Sequence, residues 1–223
     1  MTFAYGSLRY GKFRVLFILV EQLDANLKSK DDVLRKKVLI EINEDFHQAD
    51  KMNFALESDI LVQLISCFQD KDSAIRELGA RAVLKVTNTE MGRVIFVSNN
   101  LIEVTATLFN DPVTQIRNNA YVCLINLAKF TFGMQAIIDA DILRVLVDKL
   151  VEEKEPEILI LILELMELLL HGDMATPFVL NTPVLDRLNT HLASTEWRIR
   201  QLAAQNLGSI SFNVDGKRQT IEE

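Results

Sequence analysis

Cysteine is nearly absent: Cys67 and Cys123 are the only two in 223 residues, and both lie within apolar patterns. They cannot build a disulfide framework or a Cys-x-x-Cys zinc site, and they read as small buried hydrophobes in a reducing compartment. Eight glycines and four prolines are too few for a turn-rich β-sandwich or barrel. Positive charge is in deficit, 24 Lys and Arg against 31 Asp and Glu for a net charge of −7. That balance argues against a non-specific binder of phosphate backbones, which needs a basic footprint. Long hydrophobic runs are missing too. Val15 to Val20 is bracketed by Arg14 and Glu21 and is too short for the apolar region of a signal peptide. Ile158 to Leu170 is interrupted by Glu164 and Glu167 and falls short of the ~20 residues a membrane span requires. A soluble, intracellular chain with no membrane and no nucleic-acid partner is expected.

The groups that carry chemistry are equally sparse. His47, His171 and His191 have no partners at metal-ligand spacing, and each reads as a helix-end or surface residue. No Gly-rich phosphate loop and no Ser/His/Asp constellation can be proposed from spacing. Glu164 and Glu167 could pair on one helix, but no second polar residue type accompanies them. Glu152, Glu153, Glu155 and Glu157 around Lys154 read as a solvated acidic turn. The chain is therefore expected not to be an enzyme, and to need no metal, cofactor or small-molecule substrate.

What the chain does have is a repeat. Forty-one residues separate Ile75-Arg76 from Ile116-Arg117, forty-two lead on to Ile158, and forty-one more to Ile199-Arg200. One period before Ile75 stands Leu34-Arg35. Each anchor follows an acidic or proline-containing turn: Asp31-Asp32, Asp70-Lys71-Asp72, Asn110-Asp111-Pro112, Lys154-Glu155-Pro156 and Ser194-Thr195-Glu196. Four residues on come Val38, Gly79, Ala120, Ile162 and Ala203, and eight on come Ile42, Val83, Leu124, Met166 and Leu207. Positions 0, 4 and 8 share a helical face, so each anchor opens a long helix with one buried stripe. Upstream, Val20, Leu61, Ile102, Leu143 and Leu185 mark a middle helix, joined seven residues later by Leu27, Phe68, Phe109, Leu150 and Leu192. A shorter first helix carries Gly92 and Gly133 in phase, with Gly216 two periods further on.

A unit of this size cannot bury its apolar faces alone, and stacked neighbours share one core. A period near 41 with three helices, the first short and Gly-bearing, predicts an all-α armadillo/HEAT-like solenoid, a right-handed superhelix of about five repeats. The expected organisation is an irregular arm over 1–12 and a repeat domain over 13–223, with units near 13–47, 48–88, 89–130, 131–172 and 173–214 and a partial sixth. With that sixth unit cut short, Leu207 and Ile210 on the last long helix are expected to be exposed end residues.

The recurring arginine at 35, 76, 117 and 200 reads as a source of inter-repeat salt bridges near Asp72 or Asp111 rather than as a basic ladder for a ligand. Trp197, the single tryptophan, reads first as packing between units and second as an exposed aromatic anchor.

With the repeats phased, the sequence resembles the armadillo-repeat radial spoke head proteins of motile cilia. The residues that carry the resemblance are Ala4-Tyr5-Gly6, Gly92-Arg93 with Phe96, Leu108 through Pro112, Ile199-Arg200 through Ala203-Ala204 and Leu207, Ile210-Ser211, and Asp215-Gly216-Lys217. It extends over nearly all of the chain, and the family's members continue with further repeats. The resemblance implies a non-catalytic structural subunit of the axonemal radial spoke, in the cytoplasm and the cilium, docking neighbouring spoke proteins. The alternative is a soluble armadillo adaptor that holds an extended peptide in its groove, as nuclear import adaptors and catenins do with a Trp and Asn ladder. Here the Trp register holds Arg81, Val122, Glu164 and Gln205, and the Asn register holds Lys85, Asn126, Leu168 and Ser209. That ladder is missing, so basic-cargo capture by its mechanism is not expected. The same positions should still face the groove, which makes Arg81, Lys85, Asn126, Glu164 and Gln205 the candidate partner contacts.

Overall fold

Acidic residues in the turns set where the long helices begin. The computed structural model describes residues 25–57, 60–170 and 183–212, and the chain divides into two compact units, Met1–Phe96 and Val97–Glu223. Among the described residues the regular elements are all helices. The arm over 1–12, Val20, His171 and the partial sixth repeat lie outside the described residues.

The first unit contains α1 (Asp32–Asp45), α2 (Ala49–Leu56), α3 (Ile60–Ser66) with a 3₁₀ turn at Cys67–Gln69, α4 (Ser73–Thr87) and most of α5 (Glu90–Ser98). Asp31 Oδ1 accepts from the amides of Val33 at 2.9 Å and Leu34 at 3.3 Å, and Asp72 Oδ1 accepts from Ala74 at 2.9 Å. Each carboxylate thereby satisfies amide donors that a helix N-terminus leaves without an intrahelical partner. The long helices α1 and α4 pack together, with α3 and its 3₁₀ turn against α4. Val38, Ile42, Ile75 and Val83 on the predicted stripes are at most 3% exposed, while Leu34 is half-buried.

The second unit contains α6 (Ile102–Ala106) with a 3₁₀ turn at Thr107–Asn110, α7 (Thr114–Ala128), α8 (Thr131–Asp139), α9 (Ile142–Glu152), α10 (Pro156–Leu170), α11 (Val184–His191) and α12 (Trp197–Ser211). Here α10 packs between α7 and α12, with α9 against α10 and α11 against α12. Ile116, Leu124, Ile158, Ile162 and Met166 are fully buried. Burying each such side chain is worth about 1.5–3 kcal/mol.

Two in-phase glycines let the first helices α5 and α8 approach the preceding long helices closely. These first helices, nine residues each, are no shorter than the middle helices α3 and α6. A Cβ on Gly92 would meet the carbonyl oxygen of Val86 at 2.1 Å, and one on Gly133 would meet that of Leu127 at 2.3 Å. The first helix turns so tightly against the end of the preceding long helix that only glycine fits. Asn100 and Asp141, one period apart, both adopt φ of 54° between the first and second helices. Asn and Asp tolerate that left-handed corner better than other non-glycine residues.

Three expectations need correction. Ile210 is 5% exposed rather than an exposed end residue, because it continues the stripe Ile199–Leu202–Ala203–Asn206 that α12 turns toward α10 and α11; Leu207 beside it is half-buried. Trp197 is 62% exposed, since it opens α12 two residues before the buried anchor and points off the stripe. Leu192, in the middle-helix series, is 39% exposed just past the end of α11.

Candidate protein-interaction surface

The anchor arginines work on backbone as much as on charge. Arg76 Nη1 donates to the Asp70 carbonyl at 2.9 Å, Arg117 Nη1 to the Asp111 carbonyl at 2.9 Å, and Arg200 Nη1 to the Ser194 carbonyl at 2.8 Å. In each case the acceptor lies six residues back, so the guanidinium on the first turn of the long helix closes the preceding turn upon itself. Arg35 and Arg117 also reach the next repeat. Arg35 pairs with Asp70, and Arg117 grips Glu153 with Nε at 2.9 Å and Nη2 at 3.1 Å. Inter-repeat salt bridges thus form at Arg35, with Asp70, and at Arg117, with Glu153. Asp72 pairs with Lys36, and Asp111 offers Arg117 its carbonyl while its carboxylate accepts from the Val113 amide.

In the first unit, two candidate groove residues sit on α4. Arg81, with its side chain 47% exposed, pairs with Glu77 one turn earlier. Lys85 Nζ donates to the carbonyl of Asn43 and lies 3.0 Å from His47 Nε2. The ammonium meets a carbonyl of the last turn of α1, where a positive charge is favoured. Burial pulls the Lys85 pKa down, Arg81 adds to that, and Glu44 opposes it.

In the second unit, Asn126 on α7 is half-buried, as are Leu168 and Ser209 in the same register of α10 and α12. Glu164 on α10 accepts from Arg198 Nη2 on α12 at 2.9 Å. Gln205 on α12 is exposed. Of the five candidates, Arg81, Lys85 and Glu164 thus have charged groups engaged within their own unit.

Two asparagines that the pattern did not single out hold long helices together. Asn43 Nδ2 donates to Leu39 of its own helix at 2.8 Å and across to Leu78 of α4 at 3.0 Å. Asn206 Nδ2 does the same toward Leu202 at 2.8 Å and Leu163 of α10 at 3.0 Å. Both are buried, and each amide bridges two backbones where an apolar residue would leave a carbonyl without its second donor. A polar residue inside an apolar stripe was the available signal.

Among the described residues no group of three or more His, Cys, Asp or Glu is arranged to hold a metal ion. Cys67 and Cys123 are buried free thiols, and burial pushes the Cys67 thiol up to about 11. His47 is exposed beside Lys85, and His191 Nε2 lies 2.9 Å from the Leu150 carbonyl. Among the described residues no helix is long and apolar enough to cross a membrane.

No family model matches the chain. Solved structures do. A computationally designed armadillo repeat protein for modular peptide recognition superposes with a TM-score of 0.79 at 16% identity, over 90% of this chain and 86% of that one. A designed armadillo repeat protein in complex with the peptide (KR)4 gives 0.78 at 16% identity, over the same 90% and 86%. An engineered protein gives 0.77 at 20% identity, over 91% and 86%. The chain is an all-α solenoid of the armadillo-repeat type.

Proposed function

We propose that this armadillo-type solenoid is a non-catalytic protein-binding scaffold, and that it serves as a structural subunit of the radial spoke of motile cilia. The observation that carries the scaffold reading is the engagement of Arg81, Lys85 and Glu164 within the molecule. A groove built to capture one extended peptide presents a repeated set of outward polar groups. Here Lys85 and Glu164 fasten neighbouring helices, and Arg81 pairs within its own helix. The spoke assignment rests on the sequence resemblance, whose Gly92-Arg93 and Leu108–Pro112 segments form the first-helix contact and the turn before α7. Affinity purification of the full chain from ciliated cells, paired with salt extraction of axonemes, tests the proposal. The chain is expected to stay with the axoneme and to copurify with spoke proteins. Finding it free in the cytosol, or expressed in cells without cilia, overturns the spoke assignment.

The second reading, a soluble adaptor for an extended peptide, is supported by the designed neighbour that binds (KR)4 and by Asn126 in the Asn register. It expects charge reversal at Arg81 and Lys85 to abolish binding of a single linear peptide. Unchanged binding after that reversal removes the groove from consideration.

A further inference from the structure

We infer that a cleft in the second unit, formed where the corner before α6 meets the corner before α9, receives a lysine side chain from a partner protein. The inference rests on the scaffold reading above and names a face and a chemistry for it. The cleft encloses about 340 Å³. Its apolar surface comes from Val97, Ile102, Ala136 and Ala140, and its two ionisable groups are the carboxylates of Glu103 and Asp139. No lysine or arginine lines it. Glu103 is exposed on α6 and makes no salt bridge among the described residues. Asp139 accepts a hydrogen bond from Gln135 Nε2 at 2.7 Å, which leaves its negative charge uncompensated. The neighbouring cation, Arg144, is paired with Asp141 at 3.5 Å.

This combination suits a basic side chain with an apolar stem. A lysine has an apolar four-carbon stem that lies along an apolar surface, and a compact ammonium that seeks carboxylates at its end. The chain carries excess negative charge, so a basic partner is drawn to it at long range as well. Asn100, with φ of 54°, lines the cleft at one of its two corners.

The test is a ¹⁵N NMR titration of the full chain with Nα-acetyl-lysine amide and, as the uncharged control, Nα-acetyl-norleucine amide. The lysine probe is expected to shift amides confined to 97–103 and 136–140, and Glu103→Gln with Asp139→Asn to weaken that binding roughly fivefold. Both side chains are exposed, so the double variant keeps the fold. Shifts centred on the acidic turn at 152–157, equal shifts from the norleucine probe, or an unchanged titration in the double variant each overturn the inference. Carbodiimide cross-linking of the chain with its copurifying proteins separates this idea from the functional proposal. Links from Glu103 or Asp139 to a partner lysine support the cleft whatever the partner is, and links confined to other carboxylates overturn it even when the partners are spoke proteins.

Discussion

Two turns of the second unit perform the same task with different parts. Before α7, the turn Asn110–Val113 is closed by Arg117, which donates to the Asp111 carbonyl, while the Asp111 carboxylate accepts from Val113 at 2.9 Å. Phe109 lies stacked on Tyr121 beside it, centroids 3.9 Å apart and planes 6° from parallel. Before α10, the arginine position is Leu159, 8% exposed and packed into the core. There the Glu153 carboxylate organises the turn, accepting from the amides of Lys154 and Glu155 at 3.0 Å each. Its charge is compensated from the preceding repeat by Arg117. The difference teaches that the recurring arginine is a turn clamp first. Where a repeat lacks its own clamp, the neighbour's serves both.

Breaking that shared part should give the largest effect. The Arg117 and Glu153 side chains are 12% and 8% exposed, so removing one strands the other with little access to water. Arg117→Ala is expected to cost about 3 kcal/mol, the range for breaking a buried pair from one side. Urea unfolding followed by circular dichroism measures it, and a loss below that of an exposed pair would mean the two turns stand independently. Glu153→Ala should follow at about 2 kcal/mol, since it removes the pair and two amide contacts but leaves Arg117 its Asp111 carbonyl. A double-mutant cycle should return most of the smaller loss as coupling.

Supplying the missing clamp sharpens the comparison from the other side. If the turn before α10 only lacked an arginine, Leu159→Arg would stabilise it. Leu159 is buried, however, and Glu153 already holds the turn amides, so the substitution is expected to cost about 1–2 kcal/mol of apolar burial, moderated by the guanidinium reaching outward on its stem. A rise in melting temperature would contradict this account.

The fold was legible because the forty-one-residue period fixes which residues share a buried face. Ile75, Ile116, Ile158 and Ile199 are all at most 2% exposed. The same pattern indicated a structural role for the arginines but not their backbone acceptors, since carbonyls leave no trace in side-chain spacing. Asn43 and Asn206 escaped notice for a related reason: an apolar stripe tolerates one amide when two carbonyls lie within its reach. Asn100 and Asp141 were recoverable, being one period apart and of the residue types that accept positive φ. Trp197 was misread because periodicity says which face a residue occupies only once the helix has begun, and Trp197 is its first residue. Of the candidate contact surface, sequence register located the helix positions of Arg81, Lys85 and Glu164. It could not reveal that Glu77, Asn43 and Arg198 engage them, because two of those three partners lie more than thirty residues away.

Arg200 gives the smallest and most discriminating test. Among the described residues it has the clamp without an inter-repeat ion pair, donating to Ser194 at 2.8 Å and Thr195 at 2.9 Å in an exposed setting. Its turn is also held by Ser194 Oγ, which accepts from Glu196, and by the Glu196 side chain, which accepts from Arg198. Water replaces the lost donors at such a site, so Arg200→Ala is expected to cost about 0.5–1 kcal/mol. Thermal unfolding of this variant beside Arg117→Ala separates the two roles of the recurring residue. A small loss at 200 and a large one at 117 assigns the stabilisation to the pair that joins repeats. Equal losses would assign it to closure of the turn, and the contrast between the two turns of the second unit would then rest on backbone alone.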